Sequence, residues 1–331
     1  MFKPSMKRVT AMGIYLAMTT LLISCSQDTL TERDPDGIPT TKSRTADKNA
    51  LAAVDMSSWM SGLADNTSLL RISIPGTHDS GAMREVPSNS GTAKTQNLTI
   101  AEQLNAGVRF LDIRCRHIDN SFAIHHGAIY QNLNFDDVLN ACFTFLANHP
   151  SETIIMSVKE EYNSSNTNRS FESTFDSYIQ KNPSRWDLGS SIPNLGQIRG
   201  KIKLLRRFSA ENSKGINASS WADNTTFTIN NTEAQLKVQD YYKVTNNDEK
   251  WNGIVSLLNE AKINSANTLF INFTSGYKPL IFGIPSIPSV SDQINPKLKT
   301  FFQNNVQGSY GIMPVDFINA ELSELIVHTN F

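Results

Sequence analysis

The chain has 331 residues, with 30 Lys+Arg against 31 Asp+Glu and a formal charge of -1. At 39% hydrophobic and 18% charged residues it has a globular composition, long enough to bury a sizeable core, and is neither disordered nor fibrous. The charge balance excludes a generally basic nucleic-acid binder, and three cysteines are too few for a disulfide scaffold.

The first element in chain order is an address. Lys3, Lys7 and Arg8 precede an apolar run from Val9 to Ile23, which is short for a membrane-spanning helix and interrupted by Thr10, Thr19 and Thr20. The run ends Leu22-Ile23-Ser24-Cys25, which resembles a bacterial lipobox. The resemblance implies that residues 1–24 are a lipoprotein signal peptide and that Cys25 is acylated as the new N-terminus. The alternative is an ordinary secretory peptide with Cys25 incidental. Removing residues 1–24 takes away three basic residues and no acidic one, leaving 27 against 31. Acyl chains, not a polybasic patch, would then supply the attachment. Residues 25–50, with Asp34-Pro35-Asp36-Gly37 and Pro39 among many Ser, Thr and Asp, read as a tether spanning on the order of 25–30 Å. The expected location is the bacterial cell envelope: exported and lipid-anchored at the outer membrane, on its periplasmic side or at the cell surface.

Residues 51–331 alternate strand and helix signals. Leu69–Pro75 is a short β-type run ending at Gly76, and 98–105 is helical up to Gly107. Val108–Arg114 alternates as a strand does, and Phe122–His126 is another short strand closed by Gly127. Asn134 can cap a helix over 135–148, with Pro150 just beyond it, and 153–158 is a buried strand by composition. Further strands are expected at 201–207, 268–273 and 310–315, with helices near 171–180 and 252–263. Repeated β-then-α order predicts one α/β domain, either a barrel or an open parallel sheet. Cys115 and Cys142 are read as buried small hydrophobes.

Ionisable residues cluster at the ends of those strands. His78-Asp79 follows the first; Asp112 and Arg114 end the second; His125-His126-Gly127 ends the third; Lys159-Glu160-Glu161 ends the next; Asp316 follows the last. Polar groups at successive carboxyl ends are what a barrel active site requires. His78 and His126 adjoin both a Gly turn and a strand end, and two imidazoles suit general acid–base chemistry. His117, His149 and His328 are assigned to structural or surface positions. Arg114 would contact an anion, which points to a phosphodiester. The same residue types are also compatible with a metal site.

The stretches Ser73–Gly81, Arg109–Arg114, His125–Gly127 and Pro150–Lys159 resemble bacterial phosphatidylinositol-specific phospholipase C. Gly200–Leu205, Val238–Tyr242 and Val315–Phe317 extend the resemblance from about residue 60 to the C-terminus. It implies a distorted TIM-type (β/α) barrel and metal-free cleavage of phosphatidylinositol to diacylglycerol and inositol 1,2-cyclic phosphate. In that reading His78 is the general base, oriented by Asp316, and His126 is the general acid, supported by Asp79. Arg114 holds the phosphoryl oxygens. Lys159, Arg207, Asp240 and Tyr242 match inositol contacts; Arg206 is the rival to Arg207, because a one-residue shift turns a strand side chain to the other face. Calcium-dependent relatives carry carboxylates where Arg114 and Lys159 stand, so no metal and no other cofactor is expected.

The expected partners are an inositol lipid and a membrane surface, with the protein a monomer and no nucleic acid. The apolar, proline-rich segment Tyr277–Pro288 has two readings: a rim loop dipping into lipid, or a loop folded onto the body. Arg84–Gln96 contains no aromatic residue for anchoring. Two alternatives stand beside the main reading: a glycerophosphodiester phosphodiesterase, and a non-catalytic surface lipoprotein that binds inositol lipids.

Overall fold

The computed structural model describes residues 54–305 and 307–331. The signal-peptide, Cys25 and tether readings lie outside the described residues. A one-turn helix at Trp59–Gly62 and another at Leu69–Arg71 precede β1 (Ile74–Thr77). The sequence predicts a strand over 69–75; the chain instead turns at 69–71, where Ser68 accepts the Leu70 N–H, and becomes extended only at Ile74. Then come α1 (Ile100–Asn105), β2 (Phe110–Ile118), β3 (Ser121–His126), β4 (Ile129–Asn134), α2 (Phe135–Asn148) and β5 (Ile154–Glu160). The chain continues through α3 (Phe171–Lys181), β6 (Trp186–Asp187), α4 (Leu195–Ile198), β7 (Ile202–Arg206), β8 (Ile216–Asn217), β9 (Thr226–Asn230), β10 (Gln235–Gln239) and α5 (Asn247–Asn264). It ends with β11 (Thr268–Asn272), β12 (Lys278–Pro279), β13 (Pro285–Ser286), α6 (Pro288–Asn304), β14 (Ile312–Val315) and α7 (Ala320–His328).

Side-chain oxygens set many of the helix starts, as expected where orphan N–H groups need acceptors. Thr99 caps α1 in a reciprocal box with Glu102, and Ser170, Asn246 and Asn319 cap α3, α5 and α7. The Asp137 carboxylate accepts the Asn134 N–H at the start of α2, where the sequence placed the cap.

The main sheet runs β6-β7-β5-β2-β1-β14-β11-β10-β9. Its members pair in parallel except β9 against β10 and the hairpin β2-β3-β4. The sheet is curled as a distorted TIM-type barrel. Among the described residues no ladder joins β8 to β9; Asn231 Nδ2 donating to the Asn217 carbonyl at 2.8 Å crosses the opening. The opening falls where the chain between β7 and β9, rich in Ser and Asn, has no apolar stripe to build a helix.

The two-residue alternation of the strands sorts the core. Outward Leu111, Ile113, Met156 and Leu204 pack with helical Val138, Phe145, Phe175 and Ile294. Inward Ile74, Phe110, Ile155, Leu205, Leu236, Ile271 and Ile312 fill the lower barrel, joined from below by Trp59, Met60 and Leu69. Cys115 and Cys142 are free and buried in the outer layer. Beneath the strands the buried Arg109 guanidinium meets Glu152 at 2.8 Å and four backbone carbonyls, so its donors are satisfied without water. The apolar interior stops one residue pair short of the carboxyl ends, and there the polar residues begin.

Candidate active site

The same alternation that points Phe110, Ile155 and Leu205 inward sends Asp112 and Arg114, Ser157 and Lys159, and Arg207 to the same face. Register brings them level: Arg114 pairs with Lys159, and Gly76-Thr77 with Pro314-Val315, so His78 and Asp316 emerge side by side. His78 Nδ1 lies 2.7 Å from Asp316 Oδ1, and its Nε2 lies 2.7 Å from Arg114 Nη2. A guanidinium has no lone pair, so Nε2 accepts and the proton sits on Nδ1, donated to Asp316. That is the tautomer a base facing the cavity needs. Asp316 is buried, and its Oδ2 accepts the N–H of Gly276 at 3.1 Å. A Cβ at Gly276 would lie 2.7 Å from the Tyr242 carbonyl oxygen, so glycine permits this approach.

Arg114 is the centre of the charge arrangement. Its Nε is 3.3 Å from Asp112 and 3.8 Å from Asp79, and its Nη1 is 3.8 Å from Glu161. Burial works against both charges, but Arg114 and Arg207 hold the Asp112 carboxyl well below the usual range, and its neighbouring carboxylates hold Arg114 protonated. Burial likewise opposes ionisation of Glu161, yet Arg114 and Lys159 bring it down to about 2. The Lys159 ammonium, 3.2 Å from Glu161, is lowered first by repulsion from Arg114 and then by burial.

Asp79 follows different physics. It is fully buried in the left-handed region at φ 38, its N–H bound by Asp112 at 3.1 Å, and neither carboxyl oxygen has a hydrogen-bond partner. Burial pushes its pKa up to about 7, against the pull of Arg114 and His78. His126, at the end of β3, faces it with Nδ1 4.0 Å from Asp79 Oδ2 and 2.6 Å from the Ala93 carbonyl. Its neighbour His125 turns the other way and packs on Tyr130.

Between these groups opens a cavity of about 540 Å³. His78, Arg114, His126, Lys159, Arg207, Asp240 and Tyr242 line it, while Asp79 and Asp316 are buried behind the histidines. All nine predicted residues therefore meet around one space. Arg207 points in, 3.3 Å from Asp112 and 3.7 Å from the Trp221 ring centre; Arg206 points out and donates to the Lys214 and Phe208 carbonyls. Asp240 accepts from Trp221 Nε1 at 2.9 Å, and the Tyr242 hydroxyl donates to Asp223 at 2.7 Å, a bond that pushes the phenol up to about 12.

The sequence places Asp112 and Glu161 in the strand-end clusters without a settled role, and gives no sign of a third participant, Trp221. Asp112 bridges Arg114 and Arg207, and its inward register two residues before Arg114 was the available signal. Glu161 ties Arg114, Lys159 and the Gly127 N–H together. Trp221 arrives from the irregular segment at the barrel opening, where no periodicity marks it.

A family model described as phosphatidylinositol-specific phospholipase C, X domain, matches residues 72–208. The chain is similar to a 1-phosphatidylinositol phosphodiesterase of Staphylococcus aureus, 36% identical over 277 residues, spanning 78% of this chain and 87% of that relative. It is 30% identical over 288 residues to the one from Listeria monocytogenes, spanning 84% and 86%. Solved structures of phosphatidylinositol-specific phospholipase C from the same two organisms superpose with TM-scores of 0.75 and 0.70 at 33% and 30% identity. They cover 84% of this chain in both cases, and 98% and 100% of theirs.

The orphaned Asp79 carboxyl generates a stability prediction. Its folded pKa, about 7, exceeds the unfolded value of 3.8, so between those values the native state binds more protons and stability falls as pH rises. Asp79→Asn removes this penalty. The variant is expected to match wild type near pH 4 and to exceed it by on the order of 2–4 kcal/mol above pH 7 in urea unfolding. A pH-independent difference would mean that Asp79 is ionised and paired in the fold.

Proposed function

The chain belongs to the bacterial phosphatidylinositol-specific phospholipase C family, and from that membership we propose that it cleaves phosphatidylinositol by intramolecular attack of the inositol 2-hydroxyl, without a metal. The observation that carries the reading is two imidazoles lining one cavity with Arg114, one of them bound to the buried carboxyl of Asp316.

The steps follow from the geometry. The His78 Nε2 lone pair takes the proton of the 2-hydroxyl, and Asp316 stabilises the imidazolium that forms. The freed oxygen attacks phosphorus, and the glycerol C–O–P linkage breaks at the P–O bond. His126, protonated, gives its Nε2 proton to the departing glycerol oxygen. The products are diacylglycerol and inositol 1,2-cyclic phosphate. Arg114 moves its donors from Nε2 to the phosphoryl oxygens as their charge grows, and Asp112, Asp79 and Glu161 already hold it in place for this. Lys159 and Arg207 donate to ring hydroxyls, Asp240 accepts from one, and Tyr242 covers an apolar ring face. A cation where Arg114 stands does the electrostatic work that a metal would do, and it repels a dication.

Access from a membrane is proposed through the β12–β13 hairpin. Both of its strands contain proline and pair only with each other, as proline-bearing edges do. The tip exposes Leu280 at 48%, Ile281 at 79% and Phe282 at 97%, and Gly283, Pro285 and Ile287 line the cavity mouth. Apolar side chains left in water beside a lipid-cleaving cavity favour insertion over packing on the body. The similar staphylococcal enzyme binds membranes. For the N-terminal region we propose export, cleavage after Ser24, acylation of Cys25 and a tether to residue 50, which together place a monomeric catalytic domain at the bacterial cell envelope.

Three outcomes are expected. Residues 26–331 with phosphatidylinositol micelles and excess EDTA yield a cyclic phosphodiester signal by phosphorus NMR, and His78→Ala abolishes it; product that appears only with calcium would overturn the role given to Arg114. Replacing Leu280, Ile281 and Phe282 together with Ser weakens vesicle binding while sparing a water-soluble substrate, whereas equal loss on both would sink the interfacial reading. Cys25→Ser moves the full chain from the membrane fraction to the soluble fraction of expressing bacteria; no change would remove the acylation proposal.

A further inference from the structure

The loop between β1 and α1 reaches both histidines. Gln96 Nε2 donates to the carbonyls of His78 and Val315 at 2.9 and 2.8 Å, and the Ala93 carbonyl accepts from His126 Nδ1 at 2.6 Å. Such a loop, lacking regular structure between residues 83 and 98, needs something to hold the Ala93 carbonyl on its target. Glu85 supplies it. Glu85 Oε1 accepts the Ser90 hydroxyl at 2.6 Å and the Thr92 and Ala93 N–H groups at 2.9 Å each; Oε2 accepts the Lys94 N–H at 3.3 Å. The Lys94 N–H and the Ala93 carbonyl belong to one peptide group. A carboxylate therefore sits at one end of that peptide and the imidazole of His126 at the other.

We propose that Glu85 is a positioning residue for His126, acting through the 93–94 peptide to fix the Nδ1 proton and to favour the imidazolium form. The inference rests on the reading of His126 as the general acid. Hydrogen bonds in a chain polarise one another, so a negative charge on the N–H makes the carbonyl a stronger acceptor. An acceptor bound at Nδ1 keeps a proton there and leaves Nε2 as the nitrogen that meets substrate, in both protonation states. The need is real: burial and Arg114 both lower the His126 pKa, and the bond to Ala93 works in the opposite direction. His126 also feels Asp79, Glu161 and Asp316, none of which bonds Glu85. Partial burial works to raise the Glu85 carboxyl, but the Ser90 hydroxyl and the three backbone N–H groups hold it below the usual range, so it is a carboxylate at neutral pH.

The test is Glu85→Gln, whose amide oxygen can still accept from Thr92 and Ala93 while the charge is lost. Two substrates are compared: phosphatidylinositol, whose alkoxide leaving group needs a proton, and a soluble inositol phosphodiester with a nitrophenyl leaving group, which does not. The expected result is a drop in kcat on phosphatidylinositol on the order of tenfold, the scale at which outer partners of a working group act, with little loss on the nitrophenyl ester. The alkaline limb of the phosphatidylinositol pH profile moves to lower pH, because a less supported imidazolium loses its proton earlier. The ratio of the two rates does not depend on how much of the variant is folded, so poor folding cannot mimic the effect. Equal loss on both substrates with an unmoved limb would overturn the inference and reduce Glu85 to a loop staple. His126→Ala serves as the control: if it too lost both activities equally, the acid assignment would fall, and this inference with it.

Discussion

A guanidinium held at the floor of a cavity, its side chain 15% exposed, has to be compensated where it stands. Arg114 meets that demand with Asp79, Asp112 and Glu161 within 4 Å and with the lone pair of His78. Much of the site follows from this one cation. Asp112, committed to Arg114, also binds Arg207 and so fixes the far wall. Glu161, committed to Arg114, orients Lys159 and anchors the Gly127 turn beside His126. His78, with Arg114 on Nε2, has its tautomer chosen.

Two carboxylates touching the same arginine end in different states. Asp112 has four donors and is held well below the usual range, whereas Asp79 has none on its oxygens, and burial pushes its pKa up to about 7. Both groups are buried, and the difference comes first from charge, since Arg207 adds to Arg114 at Asp112 while Glu161 and Asp112 oppose ionisation of Asp79, and then from the hydrogen bonds that Asp112 accepts. A carboxyl without hydrogen-bond partners beside His126 and a hydrogen-bonded one, Asp316, beside His78 give the two imidazoles unlike surroundings, which is what opposite roles in one reaction require.

The opening of the barrel contributes as much as its closed part. Where the β7–β9 connection forms no helix, Trp221 swings in to stack on Arg207 and bond Asp240, and so builds the side of the cavity assigned to the sugar. Across the mouth, the 83–98 loop and the β12–β13 hairpin meet, with the Ile287 N–H bound to the Gly91 carbonyl at 2.9 Å. The proposed lipid contact, the proposed way in for substrate and the proposed support of His126 thus share one rim.

Strand alternation was legible in the chain itself: a polar residue two places beyond an inward apolar one, as in Phe110-Leu111-Asp112-Ile113-Arg114, announces both the barrel interior and its active end. Local patterns therefore carried the α/β order and the strand-end clusters that hold His78, Asp79, Arg114, His126, Lys159 and Asp316, because each depends on spacing within one segment; Arg207, Asp240 and Tyr242 came from the family resemblance. The short strands β9 and β10, the helix α6 beginning at Pro288 and the turn at 69–71 were not legible, since polar or proline-rich segments acquire their conformation from neighbours. Which of Arg206 and Arg207, or of His125 and His126, faces the cavity was decided by register against the adjacent strand. Proton placement, the isolation of Asp79 and the reach of Glu85 to the 93–94 peptide were decided by tertiary structure alone. Burial and hydrogen-bond partners belong to the assembled fold and have no counterpart in a residue's own identity.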